Sequence, residues 1–333
     1  MKRFSILSVI LVILLLVIGC SSQPRVKARY IFTDDYMADP SARVFNGKLY
    51  IYPSHDRVSG ITVNVNGDAF DMVDYHVLSM DDMENGKAID LGVILDIKDI
   101  PWASRQLWDN DVAYKDGRYY LYFPAKDKDG LFRIGVAIAD RPEGPFIPQS
   151  EPIPGSYSID PCVFEDNGEY YMYFGGLWGG QLEYYQNNIF LGSARVVKMS
   201  EDMLHFAEEP RAVVILNARG RPITYGDNNR RFFEAAWMHK YNDKYYFSYS
   251  TGDTHRLCYA IGDNPYGPFT YQGVILTPVT GWTTHHSIVE FKDKWYLFFH
   301  DSRPSGGVDW LRSLKVIELN YNPDGTIQRI NGV

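Results

Sequence analysis

One short pattern occurs five times in this chain, and it limits the folds open to it. It reads Gly47-Lys48-Leu49-Tyr50-Ile51-Tyr52, Gly117-Arg118-Tyr119-Tyr120-Leu121-Tyr122 and Gly168-Glu169-Tyr170-Tyr171-Met172-Tyr173. The last two copies are Asp243-Lys244-Tyr245-Tyr246-Phe247-Ser248 and Asp293-Lys294-Trp295-Tyr296-Leu297-Phe298. Each is a turn residue, a charge and an aromatic-rich run with strong strand preference. A short apolar segment precedes each, so each reads as a β-hairpin closed by Asn-Gly, Asp-Gly or a similar turn. The copies begin 50 to 75 residues apart, the spacing of a propeller or solenoid.

The repeat extends beyond the hairpin. Third-strand candidates follow at Tyr75 to Ser79, Ile134 to Ala139, Ala194 to Met199, Arg256 to Ile261 and Leu311 to Leu319. Two of the turns after them are near copies, Arg141-Pro142-Glu143-Gly144-Pro145-Phe146 and Asn264-Pro265-Tyr266-Gly267-Pro268-Phe269. No long segment has an apolar period of about 3.6 residues, and Gly and Pro punctuate throughout. The pattern predicts an all-β fold, a five-bladed β-propeller of four-stranded blades; a sandwich would not produce five matched hairpins. Insertions at 54–74 and 175–193 are loops of the kind that carry specificity.

The first residues stand apart. Lys2 and Arg3 precede an apolar run from Phe4 to Ile18, the form of a secretory signal. It ends Val17-Ile18-Gly19-Cys20, which resembles a bacterial lipobox with Cys20 as the lipidated residue; a plain signal with a chance Cys is the alternative. The division is then 1–20 signal, 21–29 tether and 30–333 propeller. One lipid anchors without spanning, so the expected location is a bacterial membrane, facing the periplasm. Loss of Lys2 and Arg3 takes the net charge from −8 to −10. An acidic chain without a basic run excludes nucleic acid as partner, whereas acids among many aromatics suit carbohydrate. Cys162 and Cys258 fall in different repeats and read as isolated buried thiols. A monomer is expected.

The hairpins supply a common register. Counting back eleven residues from the shared Tyr reaches Asp39 from Tyr50, Asp109 from Tyr120, Asp160 from Tyr171 and His285 from Tyr296. From Tyr246 the count lands on Ala235, one past Glu234. The first strand of each blade lines the central channel, so equivalent positions converge at one mouth. Asp39, Asp160, Glu234 and His285 should therefore meet, although an acid before a strand is often only a capping residue. Asp109 is set aside, because its neighbour Asp111 competes for the same role. A bulge or shifted entry at Glu234–Ala236 is expected from the one-residue offset.

Three carboxylates in unequal surroundings suit glycoside hydrolysis. One protonates the departing oxygen, another activates water, and a third orients the acid and keeps it protonated. Glu234, the odd member, is a candidate for the acid.

The chain resembles glycoside hydrolase family 43, five-bladed propeller enzymes acting on arabinose- and xylose-containing glycans. The resemblance runs from Tyr30 to the end and rests on Ala38-Asp39-Pro40-Ser41, Ile159-Asp160-Pro161, Phe233-Glu234-Ala235 and His285-His286-Ser287. It implies an inverting enzyme with Asp39 as general base, Glu234 as general acid and Asp160 tuning the acid. It also implies that His285 helps hold an axial calcium through water; a metal-free ring on channel water is the other reading. His286 is expected to point into its blade. The family's sugar-reaching Arg is matched by Arg312, with Arg303 second. The chain departs from the family at Trp108-Asp109-Asn110-Asp111, where Trp-Ala-Pro-Asp is usual, and at Ala235-Ala236, where a Pro is common. Trp108 and Trp178 are candidates for stacking on sugar or for the core. The leading reading is an exo-acting α-L-arabinofuranosidase or β-xylosidase on oligosaccharides. An endo-acting arabinanase or xylanase, and a non-catalytic sugar-binding propeller, are the alternatives.

Overall fold

A computed structural model describes residues 27–185, 192–282 and 285–333. The expected signal at 1–20 with Cys20, and residues 21–26 of the expected tether, lie outside the described residues. Among the described residues no helix is long and apolar enough to cross a membrane.

Five sheets form the blades of a propeller, antiparallel throughout except where Ile215–Leu216 pairs in parallel with Phe269–Thr270 in the fourth. Blade 1 runs from the innermost strand Met37–Phe45 through Lys48–His55 and Asp74–Met80 to Ile89–Asp96 at the rim. Blade 2 has Asp111–Lys115, Arg118–Asp127, Phe132–Ala139 and Ile147–Pro148; blade 3 has Cys162–Asp166, Glu169–Phe174, Arg195–Lys198 and Arg211–Ala212. Blade 4 has Glu234–Tyr241, Lys244–Ser250, Leu257–Gly262 and Phe269–Leu276. Blade 5 has His286–Phe291, Lys294–Asp301 and Ser313–Leu319. Its outermost strand is Arg29–Tyr30, paired with Val316 and Lys315, so the segment just before blade 1 closes the ring and Arg29 is already part of it. Blades 2 and 4 each gain a fifth short strand, Ala103–Arg105 and Ile215–Leu216.

The hairpin turns explain the repeated pattern. Both central residues have positive φ in all five: Asn46-Gly47, Asp116-Gly117, Asn167-Gly168, Asn242-Asp243 and Lys292-Asp293. That is the twist-matching two-residue turn, and Gly, Asn and Asp tolerate it best. The aromatic runs fill the spaces between blades. Tyr52, Tyr122 and Tyr173 are fully buried, and each donates its hydroxyl across to the turn after the third strand of the next blade. The acceptors are the carbonyls of Pro142 at 2.9 Å, Met203 at 2.9 Å and Pro265 at 2.5 Å. The core is thus a set of inter-blade clusters around a channel. Cys162 and Cys258 are buried and free.

Candidate active site

The strand pairings place the predicted ring in one register. Ser41 pairs with Tyr52, Asp111 with Tyr122, Cys162 with Tyr173, Trp237 with Ser248 and Ser287 with Phe298. Two residues before each inner partner stand Asp39, Asp109, Asp160, Ala235 and His285. Asp39, Asp109, Asp160, Glu234 and His285 all line one cavity of ≈ 290 Å³ at the channel mouth.

The backbone is shaped to deliver them. Asp39, Asp160 and Ala235 have φ of 49°, 57° and 62°, a conformation that costs such residues of order 1–3 kcal/mol and gathers at functional sites. Blade 1 carries an extra residue between Ala38 and Ser41, and blade 4 between Glu234 and Trp237. The expected bulge at Glu234 is therefore present, but the first blade shares it, so it is not what sets Glu234 apart. The ring position of blade 4 is Ala235, and Glu234 reaches the cavity from one residue earlier, where blade 1 has Ala38.

Asp109 belongs to the ring, against the sequence expectation. Its Oδ2 lies 2.9 Å from His285 Nδ1. Asp111 instead pairs with Arg43 and accepts the N–H of Val163, tying three blades together beneath the site. The eleven-residue count finds Asp109; only the adjacent acid obscured it.

His285 sits among four carboxylates. Nδ1 is 3.8 Å from Asp39 Oδ1, and Nε2 is 3.6 Å from Asp160 Oδ2 and 3.8 Å from Glu234 Oε1. Burial disfavours its charge, but Asp160 and Asp39 outweigh that, and the imidazole is held protonated well above its ordinary range. His286 turns away, with Nε2 2.6 Å from Ser248 Oγ.

The acids are separated by their surroundings. Burial pushes Asp39 up, but Arg312 and His285 together hold it at about 2. Its Oδ1 accepts from Arg312 Nη1 at 2.7 Å, and its N–H donates to His300 Nδ1 at 3.0 Å. Burial also raises Asp109 to about 7. Asp160 is raised well above the carboxylate range by burial, opposed by His285 and reinforced by the nearby Asp109 and Glu234. Asp160 Oδ2 accepts the N–H of Ala235 at 2.8 Å.

Arg312 is buried and lines the cavity, but most of its donors serve acids. Nε and Nη2 go to Asp56 at 2.8 and 2.7 Å. No local signal marks Asp56, since its partner lies 256 residues away. Arg303 lies in a short turn at Arg303–Ser305 and does not line the cavity. Trp108 forms one wall, its Nε1 donating to the Phe70 carbonyl at 2.9 Å. Trp178, 44% exposed, forms another, stacked on Trp282 with centroids 6.0 Å apart. Phe70 and Trp282 went unnoticed in the sequence. The loops carrying Phe70 and Trp178 are the two long insertions.

A closed propeller with buried, unequal carboxyl groups at one channel mouth is the architecture of a propeller glycoside hydrolase. The sequence profile described as Glycosyl hydrolases family 43 matches residues 32–327. The chain is 66% identical over 321 residues to a xylosidase/arabinosidase of Bacteroides ovatus, covering 92% of this chain and 99% of that protein. It is 60% identical over 318 residues to a β-xylosidase of Xylanibacter ruminicola, covering 91% and 99%. A solved β-xylosidase matches with TM-score 0.90 and 66% identity, covering 92% and 99%. A β-xylosidase/α-arabinofuranosidase from a compost microbial metagenome, solved with xylotriose in calcium-free form, matches with TM-score 0.89 and 59% identity, covering 92% and 98%. The chain belongs to glycoside hydrolase family 43 and is a glycoside hydrolase.

Proposed function

We propose that this enzyme is an inverting exo-glycosidase that releases xylose or arabinose from the ends of oligosaccharides, in the manner of a β-xylosidase or α-L-arabinofuranosidase. The observation that carries the reading is the placement of Asp39 and Glu234 on opposite ends of the His285 ring, each 3.8 Å from it. Inverting enzymes place one carboxyl group on each side of the scissile bond, roughly 6.5–9.5 Å apart, with a water between base and sugar, and the family motifs at Asp39 and Glu234 support that assignment of base and acid. Asp39, ionised, takes a proton from water as its oxygen attacks the anomeric carbon. Glu234 gives its proton to the departing oxygen, so charge and protons balance. Asp160 positions the acid through the Ala235 amide. Arg312 keeps Asp39 ionised. The aromatic walls Trp108 and Trp178 suit the faces of a sugar, and the two insertion loops support a pocket rather than an open groove. The names of the relatives, and xylotriose bound to one of them, agree with this substrate class.

Hydrolysis of nitrophenyl xyloside and arabinofuranoside tests the reading, with the product anomer followed by NMR. Inversion is expected; a folded protein inactive on every pentoside overturns it.

The residues around His285 also fit a hard cation. Asp109 Oδ1, Asp160 Oδ1 and Glu234 Oε1 are buried without a hydrogen-bond partner, and donor atoms of Asp109, Asp160 and His285 lie within 4.8 Å of one another. Such oxygen-rich sets suit calcium. A bound calcium would offset carboxylate charge at the floor of the site, and His285 would lose its proton to make room for it. The lipobox-like Val17-Ile18-Gly19-Cys20 supports a lipid-anchored, periplasm-facing enzyme.

A further inference from the structure

A second group of metal-type side chains lies apart from the catalytic ring, at the end of blade 1. Ser54 pairs with Tyr75, which puts His55 across from Asp74 on one face of the sheet, and His76 follows two residues on along the same face. Donor atoms of His55, Asp74 and His76 lie within 4.8 Å of one another. His55 Nδ1 is 2.7 Å from Asp74 Oδ1, and His76 Nε2 is 4.0 Å from Asp74 Oδ2. The two rings meet edge to face with centroids 4.6 Å apart.

Each imidazole has a further carboxylate behind it. His55 Nε2 is 3.3 Å from Asp35 Oδ2, and His76 Nδ1 is 2.9 Å from Asp90 Oδ2. An outer carboxylate on the far nitrogen is how metal-ligating histidines are oriented. The three side chains are 20%, 18% and 14% exposed, so an ion has a path in.

We propose that His55, Asp74 and His76 bind a divalent transition cation of the zinc class, with Asp35 and Asp90 as orienting carboxylates. Two imidazole nitrogens and one carboxylate suit zinc, whereas calcium takes six to eight oxygens. Zinc contacts of roughly 2.0–2.2 Å place ligand atoms about 3.3 Å apart, which small side-chain rotations reach from the observed spacing. The ion would fasten the end of the strand Lys48–His55, whose next residue, Asp56, holds Arg312. The site would therefore brace the support of Asp39 without touching substrate.

The test uses chelator-treated His285→Ala protein, which removes the catalytic-ring imidazole, titrated with Co²⁺ and then Zn²⁺. One equivalent of Co²⁺ should give visible d–d bands of a four-coordinate site, and Zn²⁺ should abolish them and raise the melting temperature. Adding His76→Ala or His55→Ala should remove both responses, and Asp90→Asn should weaken zinc binding roughly 10–100-fold. Melting without metal identifies which variants are folded. Absence of Co²⁺ bands in the parent protein, or bands that persist in a folded His76→Ala or His55→Ala variant, overturns the assignment.

Discussion

Asp160 holds the backbone amide of Ala235, the residue that follows Glu234, in a 2.8 Å hydrogen bond. The carboxylate thus anchors the left-handed turn from which Glu234 enters the cavity. Asp160→Asn keeps an oxygen for that amide but removes an ionisable partner from the pair. The fold should survive and kcat should fall while KM changes little, because Asp160 acts through the placement of Glu234 and not on the bound sugar. Steady-state kinetics of variant and parent check this.

Glu234→Gln removes the proposed proton donor without changing shape. The loss should be about 10²–10⁴-fold on oligosaccharides and much smaller on substrates with an activated nitrophenyl leaving group. Equal loss on both, with an unchanged circular dichroism spectrum, would speak against the acid role.

Arg312→Gln should expose how Asp39 stays ionised. With Asp39 held at about 2, the proposed base is available at all working pH values. Its depressed value contributes stability that is present above the ordinary carboxylate range and lost as pH falls through about 2. Without the guanidinium, burial acts with less opposition and the carboxyl rises. The acid limb of kcat/KM should then move to higher pH, read from rates between weakly acidic and neutral buffers.

Tyr122→Phe removes a buried hydroxyl that reaches from blade 2 to the Met203 carbonyl. Stability should fall by about 1–2 kcal/mol, the cost of an unpaired buried acceptor, with kcat/KM unchanged. Urea denaturation measures it, and a fall in kcat/KM without a change in midpoint would count against a purely structural role.

Cys20→Ser tests the anchor. The protein should shift from the membrane to the soluble fraction on cell fractionation while keeping its specific activity.

Much of this enzyme is legible in its sequence because a propeller repeats. Hairpin turns needing two positive φ angles leave a visible trace in Asn-Gly and Asp-Gly, and between-blade packing leaves one in the aromatic runs. Strand geometry then makes a count of residues equivalent to a position in space, so Asp39, Asp109, Asp160 and His285 can be placed in one register from the chain alone.

Other assignments belong to the tertiary structure. Asp109 and Asp111 stand two apart, and extended chain presents such residues to the same side. Only the neighbouring blades send one to His285 and the other to Arg43. The bulge at Glu234 is foreseeable, but its sharing with blade 1 is visible only in the pairings, and it makes Ala235 the true ring position. Asp56 gives no local sign, because its meaning comes from Arg312 far along the chain. The sequence by itself determined the blade count and the register, since these follow from local periodicity, and the residue types at the ring positions pointed to the kind of chemistry. The tertiary structure decided which acid is ionised, which is paired and which faces the cavity, since charge and burial depend on residues brought together from all five blades.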